Sequence, residues 1–209
     1  MSKNTLVTTS QTESVRKMAN EKKVSRVRFQ KALDDGRISC FLDSLKEVEI
    51  MGYLKPISSS EPLTLDPTDG TETIAQATDL FTGYIDSDFR NWGCDVKSEP
   101  TKTTQVFVHE MIKDGTFAQI FNGMSDDLNS LCLTQSQIIQ FVQKHRKWLR
   151  TDGYGTFFLF KVGKEFFVAL VYLYSGYGLE VGVCRFLGGD VWDADDRHRI
   201  VVPQLTLEN

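Results

Sequence analysis

The 209-residue sequence lacks long apolar runs and the short motifs that identify the common enzyme classes. Its longest apolar run, residues 166–173, has the length of a strand. A membrane span needs about 18 such residues, so none is expected. The patterns GxxxxGK[ST], GxGxxG, HExxH and GxSxG are absent. Their absence argues against phosphate-binding loops, the zinc-protease helix and the hydrolase nucleophile elbow.

Cysteine is sparse and widely spaced. The four cysteines form no CxxC and no short Cys/His pair, which argues against a structural zinc site. Residues 1–10 contain no apolar segment of the signal-peptide type. We therefore expect a cytoplasmic protein with free thiols and with no metal or cofactor.

Charge is unevenly distributed along the chain. The 24 basic and 28 acidic side chains give a net charge of −4. Residues 1–57 hold 11 basic and 7 acidic side chains, a net charge of +4, so residues 58–209 carry −8. An acidic body repels phosphate, so any contact with nucleic acid is expected to be local.

The order of these segments predicts a disordered tail and helical hairpin over residues 1–57, an acidic linker over 58–79 and a body over 80–209. The first helix is expected from about residue 12 to 35. The second, from about 38 to 51, carries an apolar stripe formed by Ile38, Phe41, Leu42, Leu45 and Val48. Two helices cannot bury both apolar faces alone, so the hairpin must dock on the body or on another protein. The linker is predicted from its two prolines and five acidic residues.

The body shows helix-start signals followed by strand patterns. Capping boxes at Thr116/Gln119 and Thr134/Gln137 predict two helices. From residue 156 the apolar period changes to two, and Gly163 with Lys164 predicts a hairpin turn. We therefore predict an α+β fold: the N-terminal helical hairpin, then two or three capped helices packed on a C-terminal antiparallel meander of three to four strands.

Three runs carry a resemblance to known sequences. KHRKWLRTDGYGTFFLFKVGKEFFVA and VWDADDRHRIVVPQL resemble the C-terminal half of conserved hypothetical bacterial proteins, and FQKALDDGRISCFLDSL resembles their N-terminal helices. No activity is known for those proteins, so the resemblance implies no catalytic residue here.

A short basic patch is the first candidate site. It consists of Lys144, Arg146, Lys147 and Arg150, and aromatic residues follow it. Such a patch is typical of surfaces that hold phosphate and stack a base. Cations near the end of a helix also offset its C-terminal partial negative charge, which is the structural alternative.

Two histidines are the second candidate. His145 lies on an apolar helix stripe, and His198 lies two residues after Asp196, which could orient its ring. If both rings converged, they could form a metal-free hydrolytic site together with Arg150, Tyr154 and Arg199. The structural alternative is a packed histidine with one nitrogen bonded to a carbonyl.

These patterns favour a small non-catalytic binding or protein-interaction module, whose basic hairpin in residues 1–57 contacts a protein partner. The first alternative is a metal-free ribonuclease or other hydrolase using His145 and His198. The second is local nucleic-acid contact through residues 144–150. No membrane partner is expected.

Overall fold

The computed structural model describes residues 13, 16–17, 19–35, 38, 52–58, 63–176 and 178–204. The chain forms two compact units, Met1–Glu47 and Val48–Asn209. In the first unit, helix α1 spans Arg26–Asp34. The predicted first helix is interrupted at Lys23, whose φ is 52°, and α1 begins after Ser25. The predicted tail and nearly all of the predicted second helix lie outside the described residues.

The second unit is built on one mixed sheet of eight strands. The strands are β1 Leu54–Pro56, β2 Leu63–Leu65, β3 Tyr84–Ile85, β4 Thr104–Met111, β5 Gly155–Val162, β6 Glu165–Tyr174, β7 Gly178–Arg185 and β8 Arg199–Pro203. The helices are α2 Asp88–Asn91, α3 Phe117–Asn122 and α4 Gln135–Lys144. Short 3-10 turns span Ile74–Gln76, Leu128–Leu131, Arg146–Trp148 and Ala194–Asp196.

The predicted meander of three to four strands is wrong. The strand order is β1-β4-β8-β5-β6-β7-β3, and β2 also pairs with β4. Only β5, β6 and β7 form the expected antiparallel run. Strand β8 instead lies between β4 and β5, antiparallel to the first and parallel to the second.

The error has two physical causes. Strands β1, β2 and β3 contain only two or three residues each, which is too short for an alternating pattern to be recognised. Strand β8 pairs with residues more than 40 positions away. The pattern of apolar residues in a single sequence does not indicate which distant strand will be the partner.

Several local predictions are confirmed. Both capping boxes form, with Thr116 and Thr134 accepting the amides of Gln119 and Gln137. Strands β5 and β6 form the predicted hairpin, and Gly163 adopts a φ of 59° in its turn. This positive φ fits the predicted Gly-X hairpin turn, in which glycine is favoured because it has no Cβ.

The segment predicted as a linker belongs to the sheet unit. Leu63 and Leu65 pair with β4 and are buried, and Ile74 is fully buried. The amide of Ile74 donates to Oε1 of Gln135, 2.9 Å away at the start of α4. Acidic residues and prolines flank these apolar positions. The composition of the segment therefore predicts a linker although it contains strand β2.

The sheet is covered on both faces. Consecutive residues Phe157 and Phe158 of β5 point to opposite sides because side chains alternate along a strand. Phe158 lies in the apolar cluster that α4 covers, whereas Phe157 lies in the cluster that α3 covers. This separation decides which of the predicted site residues can meet.

Candidate functional site

His198 lies directly before β8, and both of its ring nitrogens are engaged. Nδ1 accepts the amide hydrogen of Gly155 at 3.0 Å, and Nε2 lies 3.3 Å from Oδ2 of Asp196. The ring is 4% exposed. Since Nδ1 must accept from Gly155, the neutral ring carries its hydrogen on Nε2, which donates to Asp196.

Three aromatic rings enclose this imidazole. Phe157 stacks on it at 4.7 Å between centroids, and Trp192 and Tyr154 meet it edge-on at 5.3 and 6.2 Å. Burial therefore lowers the pKa of His198, with a smaller contribution from the Arg150 guanidinium, while the Asp196 carboxylate opposes the shift. At neutral pH the ring is uncharged and has no free lone pair, so it cannot act as a general base without breaking its bond to Gly155.

Two of the other residues predicted around His198, Arg150 and Tyr154, lie close to it and make structural contacts. Nε of Arg150 donates to the carbonyl of Asp196 at 3.2 Å, and its guanidinium lies 5.0 Å from the ring centre of Tyr154. Arg199, the next residue after His198 on β8, points to the opposite face. There it donates to the carbonyl of Leu149 at 3.1 Å.

His145 does not join this cluster. It is the C-cap of α4, where it packs on Phe141 with 5.3 Å between ring centroids. Its Nε2 donates to the carbonyl of Thr64 at 3.1 Å, which matches the structural alternative predicted for it. Phe141 and His198 belong to opposite faces of the sheet, as the contacts of Phe158 and Phe157 show. The structure therefore does not bring the two predicted imidazoles together.

The basic patch is divided among separate contacts. Lys144 forms a 2.7 Å ion pair with Asp66, and Lys147 lies 5.9 Å from the Trp148 ring centre. Arg146 is exposed, while Arg150 is half-buried in the His198 cluster. Two of the four predicted residues, Lys144 and Arg150, thus make contacts within the fold, and the phosphate-binding role of the patch stays a prediction.

Among the clefts of the second unit, two are well defined. The larger, about 200 Å³, is lined by residues that include Lys97, Cys132 and Lys161, and the smaller, about 170 Å³, includes Trp92 and Arg185. Neither cleft is lined by His145 or His198. Within the described ranges, no group of three or more His, Cys, Asp or Glu side chains is placed to hold a metal ion.

Helix α1 is the third candidate surface. Ser25 caps it by accepting the amide hydrogen of Arg28 at 3.3 Å, and Gln30 donates to Asp34 at 2.9 Å. None of its nine residues is buried. Val27 is 78% exposed and Leu33 is 45% exposed, so apolar side chains share this helix with cations.

Sequence reasoning found Asp196 as the partner of His198 but missed Gly155 and Trp192. An amide donor such as Gly155 has no side-chain signal. Trp192 lies in a loop that forms an isolated bridge with Gly115, a contact across 77 positions. In the sequence, the Asp114–Gly115 pair after β4 indicates a turn, because such pairs favour turns, but it does not identify Trp192 as its partner.

Comparisons of the chain with protein-family models, curated proteins and solved structures gave no match. The resemblance to hypothetical bacterial proteins therefore stays a prediction. In the part of the chain that the structure describes, no helix has both the length and the apolar character needed to cross a bilayer.

Proposed function

We propose that the protein is a cytoplasmic, non-catalytic binding module whose N-terminal unit contacts an acidic surface of a protein partner. The observation that carries this proposal is the complete lack of buried side chains in α1. A nine-residue helix is marginal in water by itself. Contact with a partner would cover Val27 and Leu33 and would stabilise the helix.

Charge supports an acidic partner. Met1–Glu47 holds ten basic and six acidic side chains, a net charge of +4. Seven of the basic residues and only one acidic residue fall in positions 16–31. A cationic surface of this kind accelerates and orients association with an anionic one.

The geometry of His198 supports the non-catalytic part of the proposal. Its two nitrogens are both bonded within the protein, and the aromatic rings around it exclude solvent. His145 lies on the other face of the sheet. A hydrolase that needs two cooperating imidazoles in one cleft is therefore disfavoured.

The test is a binding titration of the full chain with a fluorescein-labelled peptide of glutamate and leucine, followed by anisotropy. The informative variant is Arg26→Glu with Arg28→Glu. Ser25 and Glu at position 28 would complete a capping box, and acidic residues suit the first turn, so the variant keeps or strengthens α1. We expect binding to weaken by about tenfold or more because attraction becomes repulsion.

The matched control is Lys102→Glu with Lys164→Glu, which makes the same change in net charge at exposed positions of the second unit. We expect the control to bind the peptide as the wild type does. Equal losses in both variants, or no loss in either, would contradict a role for α1. Tighter binding of a single-stranded RNA of equal charge would contradict the choice of a protein partner.

A further inference from the structure

His198 connects three segments at one end of the sheet. The first is β8, which it precedes, and the second is the turn leading into β5, through the amide of Gly155. The third is the loop of residues 190–197, through the carboxylate of Asp196. One buried imidazole thus joins the turn before β5 to the start of β8, 43 positions away in the sequence.

Only one of its two hydrogen bonds depends on the ring being neutral. Nε2 carries a hydrogen in both protonation states, so its contact with Asp196 survives protonation. Nδ1 accepts from Gly155 only while it has a lone pair. A proton on Nδ1 would face the amide hydrogen of Gly155, and two donors cannot bond each other.

The charged and titratable groups around the ring come from two elements. The 190–197 loop contributes Asp196, and the segment before β5 contributes Arg150 and Tyr154. From β4, the register places uncharged Met111 opposite His198, and the carbonyl of His198 accepts the amide hydrogen of Met111. From α3, Phe117 closes the cluster through its contact with Trp192. A single carboxylate therefore faces the ring, and Arg150 opposes its effect.

Both segments held by His198 contain a non-glycine residue in the left-handed region. The φ angles are 65° at Asp152 and 51° at Arg197. This conformation is unfavourable for residues with a Cβ and persists where surrounding contacts impose it. The loop also has a second attachment, because the amide of Ala194 donates to Oδ1 of Asp114 at 2.8 Å. Loss of the Gly155 bond would therefore relax the turn that contains Asp152, while Asp196 and Ala194 still hold the loop near Arg197.

We propose that His198 is an acid-sensitive switch: protonation breaks its bond to Gly155 and releases residues 151–155 locally, while its contact with Asp196 and the sheet stay in place. Burial and Arg150 lower the pKa of His198, so the release falls below the ordinary histidine value of about 6.5.

The experiment is amide hydrogen exchange of the full chain by NMR between pH 7.5 and 4.5, expressed as protection factors, with the His198 ring titrated in parallel. We expect the Gly155 amide to lose protection as the His198 ring titrates. Phe157 and Phe158, further along β5, are expected to keep theirs.

His198→Asn is the test variant because its Oδ1 takes the position of Nδ1, can accept from Gly155 and does not titrate in this range. Its Gly155 protection should be independent of pH. His109→Gln, which removes the other buried histidine on this face of the sheet, should leave the response of Gly155 unchanged.

Three outcomes would overturn the proposal. The first is Gly155 protection that persists through the titration of His198. The second is loss of protection at Phe158 together with Gly155, which indicates unfolding of the sheet. The third is an unchanged acid response in a folded His198→Asn variant.

Discussion

Helices α1 and α4 have similar lengths and similar start signals but opposite surroundings. Ser25 caps the nine residues of α1, and Thr134 caps the ten residues of α4. Seven residues of α4 are buried, whereas none of α1 is. The cap determines where a helix begins, and the apolar face determines what it packs against.

This difference in burial is the basis for inferring different roles for α1 and α4. In α4, even polar residues are built into the fold, since Gln135 accepts from Ile74 and donates to the carbonyls of Cys94 and Val96. In α1 the apolar residues Val27 and Leu33 remain exposed among cations. We infer that α4 supports the sheet and that α1 is available for binding.

The largest expected contrast comes from truncating a phenylalanine in each helix. Phe141 of α4 is fully buried and meets Phe158 edge-on at 5.3 Å. Phe141→Ala should lower the free energy of unfolding by about 3–5 kcal/mol. Phe29→Ala in α1 should lower it by less than about 1 kcal/mol, since Phe29 is only half-buried. Urea unfolding followed by circular dichroism measures both, and equal losses would contradict the contrast.

Local features of this fold could be predicted from the sequence, but its long-range pairing could not. Thr116, Thr134 and Gly163 each determine structure within a few residues, and each was identified correctly. The position of β8 beside β5 depends on contacts between distant residues. The same holds for the site: Asp196 was found near His198 in the sequence, whereas the donor Gly155 lies 43 positions away.

The two units should also differ in their sensitivity to acid, because the described histidines all lie in the second unit. Burial lowers the pKa of His109 to about 4, so the folded state keeps this ring neutral while the unfolded state takes up a proton below about 6.5. Stability is therefore present above pH 6.5 and is lost as the pH falls towards 4, by about 3 kcal/mol.

His109→Gln removes this contribution. We expect the variant's free energy of unfolding in urea to fall less than that of the wild type between pH 7 and pH 4. If the free energy of unfolding changed with pH in the same way in both proteins, His109 would not be a neutral buried group in the folded state.

A smaller contrast separates the two caps. Thr134→Ala leaves the amide of Gln137 without its acceptor and should cost about 1 kcal/mol of global stability. Ser25→Ala should reduce helical ellipticity slightly and leave the urea midpoint of the sheet unit in place, because no residue of α1 is fully buried. A matching shift of that midpoint in Ser25→Ala would place α1 in the cooperative core.

The smallest effect is expected for Arg28→Glu alone. The change completes a capping box with Ser25 and suits the helix dipole, for a gain in helix stability of a few tenths of a kcal/mol, about 0.3–0.5. Helical ellipticity should rise slightly while binding of the acidic peptide falls. A decrease in both helical ellipticity and peptide binding would mean that Arg28 stabilises α1 and does not contact the peptide directly.

The most direct measurement is amide hydrogen exchange of the full chain with and without the glutamate–leucine peptide. Without peptide, we expect weak protection of the backbone amides of Arg26–Asp34 and strong protection of those of Gln135–Lys144. With peptide, protection should increase in Arg26–Asp34 and stay constant in Gln135–Lys144. Strong protection of α1 before any peptide is added, or a response confined to the sheet unit, would contradict the binding role of α1.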